Sequence, residues 1–205
     1  MTSENESGQG DDSGIERLYL DTEFTGLTGD AALISLAITD EHGRAIYLER
    51  TGLASADQNP WLVEHVLSAL WTPLDDDRVI EPEHDDTHHC TYGRGTPEQL
   101  GRWLRDWLAP FARAEVWVDM GSWDWVLFVS LFGSALSLPK NLEMYPVELS
   151  TWLRARALPF DLDRESLAPF DGHRHHALDD ARHLRAVVGV LLSRSPEDAA
   201  CVVRG

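Results

Sequence analysis

The chain has 205 residues, 43% of them hydrophobic and 25% charged, a balance that excludes wholesale disorder and fibrous architecture. No apolar run reaches the roughly 18 to 20 residues of a membrane span, so no membrane partner is expected. Thirty-five acids against seventeen bases give a formal net charge of −18, a poor balance for coating duplex nucleic acid but compatible with a small site that grips one strand end.

The opening MTSENESGQGDDSG lacks the basic start and apolar stretch of a signal peptide, and the two cysteines, Cys90 and Cys201, lie far apart without metal-type pairing. A reduced, cytoplasmic setting is expected. Residues 1–14 are predicted to form a disordered acidic tail, 15–195 a single domain, and 196–205 a C-terminal tail. Arg17-Leu18-Tyr19-Leu20 opens a strand ending at Asp21. Ala32 to Thr39 forms a second strand, and Ala45 to Glu49 returns from a turn at Asp40-Glu41-His42-Gly43. These three strands read as an antiparallel meander.

Asn59-Pro60 caps a helix carrying Leu62, Val66, Leu67 and Leu70 at helical spacing. Residues 72–94 are polar and without period, and seven acids against Arg78 crowd into 75–86, so this stretch reads as an exposed acidic loop excursion. Thr96-Pro97-Glu98-Gln99 resembles a capping box, and Leu100, Trp103, Leu104, Trp107 and Leu108 make a core-facing stripe. A strand at Glu115–Asp119 precedes an apolar helix from about Trp123 to Phe132. A short helix is expected around Pro146 to Ala157, and a final one from His176 to about Ser193. Strands followed by alternating helices and strands predict a mixed sheet flanked by helices.

Three segments carry chemistry. In Asp21-Thr22-Glu23, side chains two apart share a strand face, so two carboxylates project together and repel, a conflict relieved by a shared divalent cation. In Asp119-Met120-Gly121-Ser122-Trp123-Asp124, Asp124 falls at the start of the apolar helix, with Asp119 a competing candidate from the strand end. In His175-His176-Ala177-Leu178-Asp179-Asp180, helical phase puts Asp180 in line with Ala177, Ala181, Leu184, Val188 and Leu191, the stripe that must face the sheet. The same phase puts Asp179 on the outer face, within reach of Arg182, and turns His183 outward too. A carboxylate aimed into a core is costly unless paired or metal-bound, so Asp180 is the anomalous residue.

Taken in order, these segments resemble the DEDDh branch of the ribonuclease H-like 3′–5′ exonucleases: Asp21 and Glu23 in DTEFTGL, Asp124 in WDWVLF, and His175 with Asp180 in HHALDD. The D-T-E-F start and the H-x-A-L-x-D-A motif look closest to a group of small bacterial exoribonuclease-like proteins. Phe24 stands where many DEDDh members have Thr, and residues 72–94 have no counterpart in the core pattern. The resemblance implies an α/β, ribonuclease H-like mixed sheet, an antiparallel meander plus parallel strands, flanked by helices. It further implies a metal-dependent 3′–5′ exonuclease, favouring RNA, that acts on the 3′ end of single-stranded or short nucleic acid and releases nucleoside monophosphates. Asp21, Glu23, Asp124 and Asp180 would hold two Mg²⁺ or Mn²⁺ ions, and His175, or its neighbour His176, would take the proton of the attacking water. Related exonucleases are often dimers, so a homodimer is an option. The alternative is a non-catalytic nucleic-acid-binding or interaction module on the same fold.

Among the remaining features, Phe24 and Leu27 beyond the first strand, and Trp123 beside Asp124, are available to wedge or stack against terminal bases. Arg154, Arg156, Arg174 and Arg182 are the basic residues nearest the third segment and are available for phosphate contact. His84, His88, His89 and Cys90 lie in the acidic stretch and read as a solvated loop rather than as a zinc site, which needs four ligands at defined spacings.

Overall fold

A computed structural model describes residues 14–53 and 59–193. The expected tails fall outside these residues, apart from Gly14, as do residues 194 and 195 at the end of the expected domain. Seven strands form one sheet in the order β4-β5-β3-β2-β1-β6-β7. The strands are β1 (Glu16–Phe24), β2 (Leu33–Asp40), β3 (Ala45–Arg50), β4 (Ile80–Asp85), β5 (Cys90–Gly95), β6 (Ala114–Val118) and β7 (Val147–Glu148). The β1-β2-β3 meander is antiparallel, as expected, and β4 pairs antiparallel with β5. The pairs β1-β6, β3-β5 and β6-β7 are parallel. The sheet is the mixed α/β type that the sequence predicts.

Alternation along the strands sorts side chains between two helical layers. After the short helix α1 (Pro60–His65), α2 (Pro97–Leu108) and α3 (Gly121–Ser130) cover Leu18 and Leu20 of β1 and Val116 and Val118 of β6. Tyr19 and Trp117 point the other way, into a cluster built by α4 (Leu149–Ala155), α5 (Arg164–Leu167) and α6 (Ala177–Ser193). Asp21 and Glu23 continue the Tyr19 face, and Thr22 continues the face of Leu18 and Leu20. The capping box of α2 forms as predicted, with the Thr96 hydroxyl receiving the Gln99 N–H and the Gln99 side chain receiving the Thr96 N–H. No helix of the described residues is long and apolar enough to cross a membrane.

The stretch 72–94 corrects the sequence reading. It contains β4 and most of β5, and β5 docks parallel to β3, extending the sheet by two strands. Burial alternates irregularly along β4, an edge strand with Glu81, Pro82 and Glu83, so no apolar period announces it. Backbone pairing, not a buried side-chain face, makes β4, and its acids and proline suit an edge that must not recruit another chain. At the core end of β5, Arg94 is buried with Glu49 at 2.9 Å. Glu49 also receives the hydroxyls of Tyr47 and Tyr92 and the backbone N–H groups of Trp71 and Thr72. This network ties the 71–73 segment to the sheet. A Cβ on Gly95 would lie 2.6 Å from the Trp103 ring, so only glycine lets α2 approach β5 here. Cys90, expected in a solvated loop, is buried against Tyr47 and the start of α6.

Candidate active site

The end of β1 and the N-terminal turns of α3 and α6 (10 and 17 residues) meet at one cleft of about 640 Å³. Its lining includes Asp21, Thr22, Glu23, Phe24, Leu27, Trp123, Asp124, His175 and Asp180. Strand alternation aims Asp21 and Glu23 at α6, where helical phase aims Asp180 back at them. Each of the three offers a carboxylate oxygen within 4.8 Å of the others. Asp124 stands apart from this trio. It is 8% exposed, and its Oδ1 accepts the Thr22 hydroxyl at 2.6 Å and the Thr22 N–H at 3.1 Å. The middle residue of D-T-E therefore reaches across the sheet's other face to anchor the second acidic segment.

Crowding four carboxylates raises their proton affinity. Burial, then the charges of Asp124, Glu23 and Asp180, pushes Asp21 well above the usual carboxylate range. Burial and the charges of Asp180 and Asp124 push Glu23 up to about 8. Asp124 rises to about 6 through burial, held back by its bonds from Thr22. Asp180 is raised by burial, against the opposing influence of His175. A hard-oxygen donor set that repels itself in this way fits a divalent cation such as Mg²⁺ or Mn²⁺.

The sequence left Asp119 and Asp124 in competition. Asp119 also lines the cleft, but Arg164 of α5 binds its Oδ1 at 2.7 Å, an ion pair invisible to sequence spacing. His175 sits before α6 with a left-handed backbone, φ 60°, and its ring meets Trp61 edge-on at 5.0 Å. His176 turns away from the cleft, is buried, and lies against Tyr47 and Trp71.

Two residues of α6 depart from the sequence reading. Asp179, expected on a solvated face, is half-buried: its Oδ2 accepts the His173 N–H at 2.9 Å, while Arg182 stands 3.9 Å away. Burial pushes Asp179 up, but the bonds from His176 and His173 outweigh it and hold the group below the ordinary range. His183, expected outward, contacts the Ala168 carbonyl at 2.9 Å and packs on Phe170. In both cases the covering segment lies N-terminal to the helix and does not enter its phase. Thr22, Arg164 and Trp61 are site residues that the sequence reading passed over. Thr22 was legible as the alternate-face neighbour of a D-x-E pair, whereas the other two come from distant segments.

A mixed sheet with this strand order and an acidic cleft fed by its first strand is compatible with a ribonuclease H-like fold. Residues 16–192 match the model of the 3′–5′ exoribonuclease Rv2179c-like domain, and the chain belongs to that family, a family of 3′–5′ exonucleases. No curated protein sequence matches the chain.

Proposed function

We propose that the protein is a divalent-metal-dependent exoribonuclease that removes nucleoside monophosphates from the 3′ end of single-stranded or short RNA. The observation that carries this reading is the convergence of Asp21, Glu23 and Asp180 in a cleft that His175 also lines. Asp21, Glu23 and Asp180, with Asp124 from the opposite wall, would hold two Mg²⁺ or Mn²⁺ ions. When bound, such ions supply Lewis-acid charge that acidifies water and stabilises a leaving oxygen.

The chain's own residues do the rest. Thr22 fixes the Asp124 carboxylate through two hydrogen bonds, so this group does not need to reorganise when substrate arrives. A ring nitrogen of His175 takes the proton of the attacking water, a role suited to a neutral imidazole, which carries one acceptor nitrogen. Phe24 and Trp123, with ring centroids 6.2 Å apart, and Leu27, 72% exposed, offer apolar surface to the terminal bases. The net charge of −18 disfavours long contacts with a phosphate backbone and so favours short substrates. The preference for RNA rests on the family described above.

Digestion of 5′-labelled single-stranded RNA and DNA oligomers, with and without Mn²⁺, tests the whole reading. A ladder shortening from the 3′ end, faster on RNA and dependent on metal, is expected, and Asp21→Asn should abolish it without unfolding the protein. No cleavage of either polymer with Mn²⁺ present, or Asp21→Asn activity above about a tenth of wild type, would overturn it.

A further inference from the structure

Four arginines lie near the third acidic segment in sequence, and the structure sorts them. Arg182 donates to the His88 carbonyl and faces Asp179. Arg154 lies 4.3 Å over the Phe160 ring and Arg156 lies 3.6 Å over Trp152. Arg174 alone among them lines the active-site cleft, and among the described residues it is the one lysine or arginine that does so. Five carboxylates share that lining: Asp21, Glu23, Asp119, Asp124 and Asp180. Of these, Asp119 is already answered by Arg164.

The placement of Arg174 follows from the backbone beside it. The left-handed turn at His175 lets two consecutive side chains, Arg174 and His175, flank one cleft while His176 is buried behind them. Arg174 forms an ion pair with Glu165 of α5, and its guanidinium rests 5.0 Å over the Phe170 ring. The arginine is 61% exposed and the glutamate 45%, so the pair sits at the solvent rim of the cleft, near enough for the guanidinium to favour the charged form of Asp180. An ion pair this exposed adds little stability, and exchanging its carboxylate for another anion costs correspondingly little.

We propose that Arg174 is the phosphate-binding residue of the cleft: its guanidinium leaves Glu165 and takes a backbone phosphate of the substrate upstream of the scissile bond. This rests on the exonuclease reading above. The scissile phosphate belongs with the carboxylate cluster, whereas a guanidinium at the rim meets the strand further in from its 3′ end. The planar fork of N–H donors matches phosphate oxygens in pairs, which a lysine ammonium does not. The phosphate is then held without a broad basic surface, as a chain of net charge −18 requires. Glu165 acts as the resident anion that any substrate must displace, which penalises ligands lacking that upstream phosphate.

The test compares wild type with Arg174→Ala, Arg174→Lys and Glu165→Gln on an RNA trinucleotide, a dinucleotide and a p-nitrophenyl ester of a nucleoside 5′-monophosphate, all with Mn²⁺. Arg174→Ala should raise KM for the trinucleotide by about tenfold or more, the worth of hydrogen bonds to a charged group, with a much smaller change in kcat. Its penalty should be smaller on the ester, which has no upstream phosphate. Arg174→Lys should fall between, and Glu165→Gln should lower KM. The slope of log kcat/KM against log salt should become shallower by about 0.7, the contribution of one phosphate contact on a single strand. Equal losses on all three substrates, an unchanged trinucleotide KM, or a KM that rises in Glu165→Gln would each overturn the assignment. A wild-type protein that hydrolyses none of the substrates would overturn the exonuclease reading instead.

Discussion

The Asp124 carboxylate is bound at a single oxygen by both the hydroxyl and the N–H of Thr22, 102 positions earlier in the chain. One strand residue thereby couples the first acidic segment, on the sheet, to the second, on α3. Removing the hydroxyl alone tests that coupling. Thr22→Val keeps the shape and strand preference but leaves Asp124 with one bond fewer in a buried position. Stability should fall by about 1 to 2 kcal/mol, and the proton affinity of Asp124 should rise, because the lost bond favoured its charged form. Denaturant titration and the acidic limb of the pH–rate profile would report both. Stability and profile matching wild type would mean that the coupling is inert.

Asp180→Asn should cripple hydrolysis, while Asp179→Asn should reduce it only mildly. The first residue meets Asp21 and Glu23, whereas the second braces the 172–176 loop, and an asparagine still accepts the His173 N–H. Asp179→Ala, which cannot accept that bond, should cost more than Asp179→Asn. Kinetics on the three variants, with metal affinity by calorimetry, separate the roles; equal losses in the two Asn variants would contradict the assignment.

His175→Ala should lower kcat by roughly 10² to 10⁴, the usual worth of a positioned general base, and leave the metal-induced rise in melting temperature intact. His176 is buried against Tyr47 and Trp71, so His176→Ala should act on stability instead. The reverse pattern would show that the base is the neighbour.

Stability should depend on pH in a direction opposite to the common carboxylate case. Glu23 is raised to about 8 and Asp124 to about 6, so between their unfolded values near 4 and these folded values the native state holds more protons than the unfolded chain. Their contribution is complete below about pH 4 and is lost as pH climbs through about 6 and then about 8. Without metal, the melting temperature set by this cluster should therefore fall from pH 5 to 8. Divalent metal should reverse the trend and add about 2.7 kcal/mol at a hundredfold excess over Kd. Thermal melts in EDTA and in millimolar Mn²⁺ across that range would show it, and a melting temperature indifferent to Mn²⁺ at pH 8 would argue against a metal site.

Several of these features are legible in the residue order alone. The capping box at Thr96 and Gln99 and the stripe of α2 depend on spacing within one turn or two, where side chains on one helix have a fixed relationship. The same holds for Asp21 with Glu23 on a strand, and for Asp180 on the inward stripe of α6. The hairpin of β4 and β5 is not legible in this way, because an edge strand needs only backbone partners and its side chains are free to be acidic. Asp179 and His183 escape for a related reason: helical phase says which way a side chain points but not what loop lies over it.

By itself, then, the sequence determined which residue types stand where along each element: the D-x-E pair, the aspartate opening an apolar helix, and the inward aspartate five places after a histidine. Local geometry dictates those facts; the ribonuclease H-like fold followed from the family resemblance that the three segments carry in order. Only the tertiary structure decided the pairings across the chain. It gave Asp119 to Arg164 and Asp124 to Thr22, and it left Asp21, Glu23 and Asp180 facing one another. It also chose Arg174 from four nearby arginines for the cleft. Such choices depend on through-space distance and on burial. An ion pair or a cavity wall is made by whichever groups the packed layers bring within a few ångströms, and separation along the chain carries no record of that.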